Sequence, residues 1–292
     1  MLNIFHDFDP KDRQYLCEEE GWEVISIGHY CVLFVQSVDA FDFGMVSDVC
    51  AKYKVDGLFI NTDQFPEIGV LNEFMFKINI KVLGLTIRSY SKCVDLSGLT
   101  LAPSLERFTI REGFLNRAKK IKWDINSSGL KLTHLRIFYD QCLVPLLSID
   151  TLESLSLRLF SNTAIDLSRM TKLANLGLDN LRSIEIIPHA GSIRNLDIES
   201  CKNVDMKWSS LENSLATIEI AGSPGFDFDK LVILKKCKKI ILSQMKQIPD
   251  LTPFLKIGTL SELDYAFPYS LNFKELKKCH KDVIEEINKR SK

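Results

Sequence analysis

The stretch Leu152-Glu153-Ser154-Leu155-Ser156-Leu157 decides the fold, because its apolar pattern recurs along most of the chain. The pattern has the form L-x-x-L-x-L, and residues 173–178 repeat it without change. We call each such stretch a frame and count its positions from its first apolar residue. Including close variants, frames begin at residues 55, 80, 105, 132, 152, 173, 193, 215, 237 and 260. The intervals between them are 25, 25, 27, 20, 21, 20, 22, 22 and 23 residues. Self-similarity at a nearly fixed period indicates a repeat architecture.

Ten frames in near-constant phase resemble the leucine-rich repeat family, whose units of 20–29 residues each contribute one short strand. The resemblance covers about residues 55–270. The sequence departs from the family pattern at the ninth position of the repeat, which Cys201 fits. Other repeats place different residues at or near this position, among them Gly113, Asp140, Phe160, Leu181 and Ser223.

The resemblance implies an α/β solenoid: a leucine-rich-repeat horseshoe with a parallel β-sheet on its concave face. We expect an α+β N-terminal cap of helices plus a hairpin over residues 1–54. About ten or eleven irregular repeats should occupy residues 55–270, and a C-terminal helical cap residues 271–292.

The three apolar positions of each frame are expected to point inward, because one repeat cannot bury them without its neighbours. A doubly wound α/β domain is the alternative, but it needs helices of at least ten residues between strands. The intervals after residue 132 leave about 13 residues for two turns and any helix, which favours the solenoid.

The N-terminal region differs from the repeats. Asp9-Pro10 predicts a helix ended by Gly21, with Asp as the N-cap and Pro at the first position. Apolar runs on either side of Gly28-His29 predict a hairpin. Helical spacing of apolar residues after Asp42 predicts a second helix over about residues 43–53.

The C-terminal segment places apolar residues on one stripe of a predicted helix over residues 272–290: Phe273, Leu276, Val283, Ile284 and Ile287. A capping helix explains this stripe. A partner-binding or membrane-surface helix is the alternative, although its charges are mixed rather than uniformly basic.

The overall charge excludes several classes of protein. The chain has 292 residues, with 37 Lys and Arg against 38 Asp and Glu. A general polyanion binder would carry a net basic excess, and a disordered chain would not be 46% hydrophobic. The longest apolar run, Cys31–Val35, is far shorter than the roughly 20 residues that cross a bilayer. We therefore expect no membrane partner.

The eight cysteines are isolated, without a C-x-x-C pair or a Cys/His metal spacing. The N-terminal residues lack the features of a secretory signal. We expect reduced thiols in a cytoplasmic protein, with no metal site and no cofactor.

The sequence contains none of the common catalytic signatures. It has no H-E-x-x-H, G-x-S-x-G, P-loop or G-x-G-x-x-G motif. The cluster His6-Asp7-Phe8-Asp9 is explained more simply by a helix N-cap with flanking acids. We expect no catalytic residues and a protein that is not an enzyme.

The residues between the inward leucines should point onto the concave face. In frames 105 to 152 they form a predicted basic patch, consisting of Arg107, Arg111, Lys120, Lys122, His134, Arg136, Phe138 and Arg158. In frames 173 to 260 they form a predicted acidic stripe, consisting of Asp179, Asp197, Glu199, Glu219, Glu262 and Asp264. Ordinary solvated strand residues are the alternative interpretation.

Like charges on neighbouring strands of one face lower the stability of the sheet. A macromolecular partner of opposite charge would compensate for this loss of stability. The first hypothesis is a non-catalytic protein-binding scaffold, and its sharper version is an inhibitor or immunity-type protein. The second is binding of a short nucleic acid or other polyanion, with Phe138 and Tyr139 stacking on bases. The sequence identifies neither the partner nor the oligomeric state.

Overall fold

A computed structural model gives the fold of the chain. It describes residues 13–19, 22–36, 43–62, 67–87, 94–112, 121–138, 140–161, 163–223, 225–245, 250–266 and 273–290. The chain forms two compact units, Met1–Ile149 and Asp150–Lys292, which we call the first and second units and describe in turn.

The described residues of the first unit form nine strands, two α-helices and a 3-10 helix. In chain order these are β1 (Arg13–Glu19), β2 (Trp22–Ile27), β3 (Tyr30–Val35), α1 (Phe43–Tyr53), β4 (Gly57–Thr62), α2 (Ile68–Lys77), β5 (Val82–Ile87), β6 (Val94–Asp95), β7 (Arg107–Glu112), β8 (Ile121–Lys122), β9 (His134–Phe138) and the 3-10 helix Gln141–Ser148.

The sheet of the first unit is open and mostly parallel. Its strands lie in the order β1-β2-β3-β4-β5-β7-β9. The first three are antiparallel neighbours, and each later strand is parallel to the one before it. β6 and β8 form a separate two-stranded parallel sheet.

The N-terminal predictions have mixed outcomes. The predicted hairpin is confirmed, because β2 and β3 pair in antiparallel register around Gly28, whose φ is 60°. The helix predicted from Asp9-Pro10 is wrong over residues 13–19, which form β1 and pair with β2 along its length. An N-cap side chain satisfies only the first backbone amides of a helix. Pairing of β1 with β2 satisfies the backbone N–H and C=O groups along one whole edge of β2, and this favours the strand. Residues 1–12 and 20–21 lie outside the described residues.

One helix precedes the first frame, and another fills the return segment between the frames at residues 55 and 80. The predicted helix after Asp42 is confirmed as α1, which buries Val46 and Cys50 one helical turn apart. α2, which the frame pattern did not predict, buries Leu71, Phe74 and Met75. An interval of 25 residues leaves room for such a helix, whereas the shorter intervals further along the chain do not.

The first-unit sheet is apolar on both sides. On one side, Leu58 and Leu83 of neighbouring strands are no more than 1% exposed. On the other side lies a second apolar cluster, which contains Ile25, Ile27, Tyr30, Val32, Phe34, Phe59 and Val82. The Phe34 and Phe59 rings stack there with centroids 5.1 Å apart.

The second unit is built mainly from short strands. In chain order its described elements are β10 (Ser154–Arg158), β11 (Ala164–Leu167), β12 (Asn175–Asp179), β13 (Arg182–Pro188), β14 (Asn195–Glu199), β15 (Lys202–Met206), the 3-10 helix Trp208–Ser210, β16 (Thr217–Ala221), the 3-10 helix Phe228–Ile233, β17 (Lys239–Ser243), the 3-10 helix Thr252–Lys256, β18 (Glu262–Ala266) and α3 (Phe273–Lys289).

The second unit contains two parallel sheets. Strands β10, β12, β14, β16, β17 and β18 lie side by side, and each frame position pairs with the same position of the next frame. β11, β13 and β15, which come from the return segments, form a three-stranded sheet. The prediction of one parallel strand per frame is confirmed, because all ten frames contain a strand that begins at their third residue.

In the second unit the chain leaves strands β10, β12, β14, β16 and β17 through a left-handed residue at the eighth frame position. These residues are Leu159, Asn180, Ser200, Gly222 and Gln244, with φ between 51° and 60°. The ninth position, occupied by Phe160, Leu181, Cys201, Ser223 and Met245, is buried in every case.

Polar side chains at the ninth position bind the backbone. Ser223 Oγ donates to the Ala221 carbonyl at 3.0 Å and accepts from the Cys201 amide at 3.0 Å. Cys201 Sγ is the donor to the Leu178 carbonyl at 3.3 Å. Burial raises the pKa of the Cys201 thiol to about 12, so it is neutral at physiological pH. These contacts tie neighbouring repeats together.

The helix predicted at the C-terminal end is confirmed as α3. Ile287 is fully buried. The Arg290 guanidinium, just after the helix, donates to the carbonyls of Leu255 and Ile257 at 3.0 Å and 2.8 Å. α3 therefore packs on the segment that leads into β18.

Candidate interaction surface

Alternate residues of the second-unit strands point away from the buried leucines. β10 shows the pattern, because Leu155 and Leu157 are buried whereas Ser154, Ser156 and Arg158 are partly exposed. We call the side of the sheet formed by the third, fifth and seventh frame positions the strand face. Parallel pairing in constant register places equivalent positions of adjacent strands about 4.8 Å apart.

Two pairs of acidic residues lie directly opposite each other on the second-unit strand face. Asp197 of β14 pairs with Glu219 of β16 at the fifth position. Asp179 of β12 pairs with Glu199 of β14 at the seventh position. The register therefore gathers four carboxylates on three adjacent strands, and like charges in such positions destabilise a sheet.

Cations neutralise both ends of the predicted acidic stripe. Arg158 Nε lies 3.0 Å from an Asp179 carboxylate oxygen. Lys239 Nζ lies 2.7 Å from Asp264 and 3.2 Å from Glu262. Hydrogen bonds to these two carboxylates, Asp264 first, raise the pKa of Lys239.

The middle of the stripe is more strongly acidic. We call Asp197, Glu199 and Glu219 the central carboxylates. Glu199 and Glu219 are partly exposed and form no ion pair with the described residues. Beside them Asn195 donates to Asn175 across the strands at 2.7 Å. This part of the face offers hydrogen-bond acceptors and negative charge to a cationic group.

The first-unit strand face carries four of the predicted basic residues. Arg107 of β7 pairs with His134 of β9, and Arg136 pairs with Thr109. Arg111 pairs with Thr86 of β5. All four basic side chains are half-buried.

Aromatic and polar contacts hold part of this basic group. The Arg107 guanidinium lies 5.4 Å from the centroid of the Tyr30 ring. The Tyr30 hydroxyl donates to Glu106 at 2.8 Å, and burial, followed by this bond, raises the pKa of Tyr30. His134 Nδ1 lies 2.9 Å from Thr133 Oγ1.

Lys122 does not join these four. Lys122 lies on β8, in the separate two-stranded sheet, and pairs with Asp95 at 3.0 Å. Hydrogen bonds from Ser97, together with Lys122, lower the pKa of Asp95 to about 2. Arg158 belongs to the second unit and lies beside Asp179.

Phe138 is 4% exposed, so its ring is not accessible for the stacking that we expected of it. It is buried although it lies on the same side of β9 as the half-buried His134 and Arg136. Lys120 and Tyr139 lie outside the described residues.

The frame pattern missed the apolar part of the first-unit strand face. Phe59 and Val82 occupy outward positions, yet they are only 2% and 3% exposed. The signal was present in the sequence, because both are apolar residues at positions that most other frames fill with polar or small side chains, with Ile241 the exception at the fifth position. The strand face of the first unit is therefore partly core and partly basic.

Within the described residues, no group of three or more His, Cys, Asp or Glu side chains is arranged to hold a metal ion. No helix of the described chain is long and apolar enough to cross a membrane. The sequence matches no protein-family model and no curated protein.

Proposed function

We propose that this chain is a non-catalytic protein-binding scaffold, which docks a basic partner against the strand face of its second unit. The observation that supports this proposal is the register of Asp197 with Glu219 and of Asp179 with Glu199. Arg158 offsets the charge of Asp179, so the cost of like charges in this register falls mainly on Glu199 and Glu219, which form no ion pair with the described residues. A cationic partner would remove this cost and gain orientation from the charge pattern.

The finer fold proposal is a leucine-rich-repeat horseshoe with this face on its concave side. One strand per frame and a buried ninth position in five successive repeats support it. An inhibitor or immunity-type protein is the more specific functional proposal, in which the central carboxylates occupy a basic cleft of the partner. A reducing, cytoplasmic environment suits the free thiols of Cys17, Cys31, Cys50, Cys142, Cys201 and Cys237.

Binding of a short nucleic acid or other polyanion is the second candidate function. The neighbouring Arg107 and His134, with Arg136 and Arg111 on the same face, favour it. The burial of Phe138 removes a stacking platform from this proposal, and Lys122 lies in a different sheet. We therefore prefer the protein-binding proposal.

The double variant E199K/E219K tests the preferred proposal. We expect immobilised wild-type protein to capture a basic protein from its source extract, and the double variant to lose at least nine tenths of that capture. The loss should come from slower association and from repulsion at the centre of the face. Quantitative mass spectrometry of the captured proteins provides the measurement.

The matched control is E153K/E185K, which changes the net charge by the same amount. Glu153 and Glu185 are exposed residues of the same unit that lie off the strand face. This control should retain the captured protein. Equal capture by all three proteins would contradict the proposal, whereas a shift of labelled RNA at 50 mM salt, lost in R107Q/R136Q, would favour the second candidate.

A further inference from the structure

A cleft of about 430 Å³ opens in the first unit where α1 and α2 end and where β4 and β5 are about to begin. This volume is within the usual range of small-molecule sites. The lining includes Ser47, Lys54, Asp56, Lys77, Asn79 and Lys81. The cleft is separate from the strand-face residues on which the proposed function rests.

The charged lining is dominated by cations. Lys54, Lys77 and Lys81 contribute three positive charges and Asp56 one negative charge. Lys77 Nζ donates to Ser47 Oγ at 3.2 Å, from the end of α2 to the side of α1. Lys81 Nζ lies 4.0 Å from Glu106, at the limit of an ion pair. Within the described residues neither Lys54 nor Lys77 forms an ion pair.

Lys54 occupies a backbone position that favours glycine. The Val55 amide donates to the Cys50 carbonyl at 2.9 Å, which closes α1 in a Schellman turn with Lys54 at φ 52°. Asn79 takes the same role after α2, also at φ 52°. Asparagine tolerates this conformation, whereas lysine has no local advantage in it. A lysine there adds a cationic residue to the cleft lining at a conformational cost.

Asp56 is the acidic residue of the cleft lining. Its carboxylate accepts a hydrogen bond from the Cys31 amide at 2.9 Å, and burial raises its pKa. Among the lining residues it balances one of the three lysines and leaves two positive charges in excess, with Glu106 outside the lining and 4.0 Å from Lys81. Two excess charges around a cavity of this size suit a doubly charged group such as a phosphate monoester.

We propose that this cleft binds a small phosphate-bearing molecule, with Lys54, Lys77 and Lys81 around the phosphate. Cations near a helix C-terminus also interact with the helix dipole. The test therefore measures ligand binding rather than stability.

The experiment titrates the full-length chain with inorganic pyrophosphate by calorimetry at low ionic strength. We expect saturable binding, which K54G and K77Q each weaken at least tenfold. Glycine is favoured at position 54, so K54G removes the charge while preserving the turn. D56N should bind more tightly, because it removes the single negative charge of the lining.

The control variant is K131Q, which removes an exposed lysine of the same unit outside the cleft and should bind as the wild type does. E199K/E219K should also bind pyrophosphate normally, so this test is independent of the proposed function. No binding by the wild type, or equal affinity in wild type, K54G, K77Q and K131Q, would overturn the proposal.

Discussion

The two units use the same strand frame with opposite results at its fifth position. In the first unit Phe59 is buried at this position and Gly84 lies beneath its ring. In the second unit the equivalent residues include Asp197 and Glu219, which are exposed or partly exposed. The frame fixes the inward leucines in both units, whereas the outward positions are partly core and partly basic in the first unit and mainly polar or charged surface in the second. The leucine pattern therefore predicts the strands but leaves the character of the strand face open.

The largest expected effect tests this contrast directly. Phe59→Ala should lower the free energy of unfolding by about 3–5 kcal/mol, because it leaves a cavity in the apolar cluster. Glu219→Ala, at the same frame position of the second unit, should change it by less than about 0.5 kcal/mol. Chemical denaturation measures the free energy of unfolding of both variants, and the slope of this free energy against denaturant concentration should stay unchanged. Similar losses in the two variants would show that the fifth position is equivalent in the two units.

Two glycines at the same position sharpen the comparison. A Cβ on Gly84 would lie 1.9 Å from the Phe59 ring, so Gly84→Ala should destabilise the protein by about 1–3 kcal/mol. A Cβ on Gly177 would meet its nearest atom, Ser156 Oγ, at 3.4 Å. Gly177→Ala should therefore be neutral or stabilise by up to about 1 kcal/mol, because alanine loses less chain entropy. The same denaturation midpoints distinguish the two, and a stable Gly84→Ala variant would contradict the observed packing.

The smallest expected effect on stability comes from substitutions at the ends of the strands. β4, β5 and β7 continue through the eighth frame position, where second-unit repeats turn through a left-handed residue. Gly222→Ala should cost about 1 kcal/mol there, and Ser200→Gly should gain up to about 1 kcal/mol. Thermal unfolding should give midpoint shifts of opposite sign. Shifts of the same sign would show that packing, not φ, controls this turn.

Much of the fold could be predicted from the alternation of apolar residues along each frame. Leucines at frame positions four and six must point to one side of a strand, so each frame located its strand. Helix α2 did not follow, because nothing in the frame specifies how a long return segment folds. The sheet of β11, β13 and β15 also escaped prediction, although Ile184-Glu185-Ile186 shows the alternation typical of a strand.

The candidate surface was predictable only where charge and register coincided. Asp179, Asp197, Glu199 and Glu219 came together because constant register aligns equal frame positions. Lys122 did not join Arg107, because β8 pairs with β6 instead of entering the main sheet of its unit. The cleft lysines lie near each other through the packing of two helix ends, which no periodicity in the sequence encodes.

The constant register of the second unit also has a kinetic meaning. Each of its main-sheet strands bonds to the strand of the next repeat, and paired residues such as Leu155 and Leu176 are about one repeat apart in sequence. Every pairing step therefore closes a loop of similar, modest length, with a similar entropic cost. Once two adjacent strands have formed, the rest can add one at a time, each on a template already in place. The repeat that displays the carboxylates also gives the chain a short-range route to its folded state.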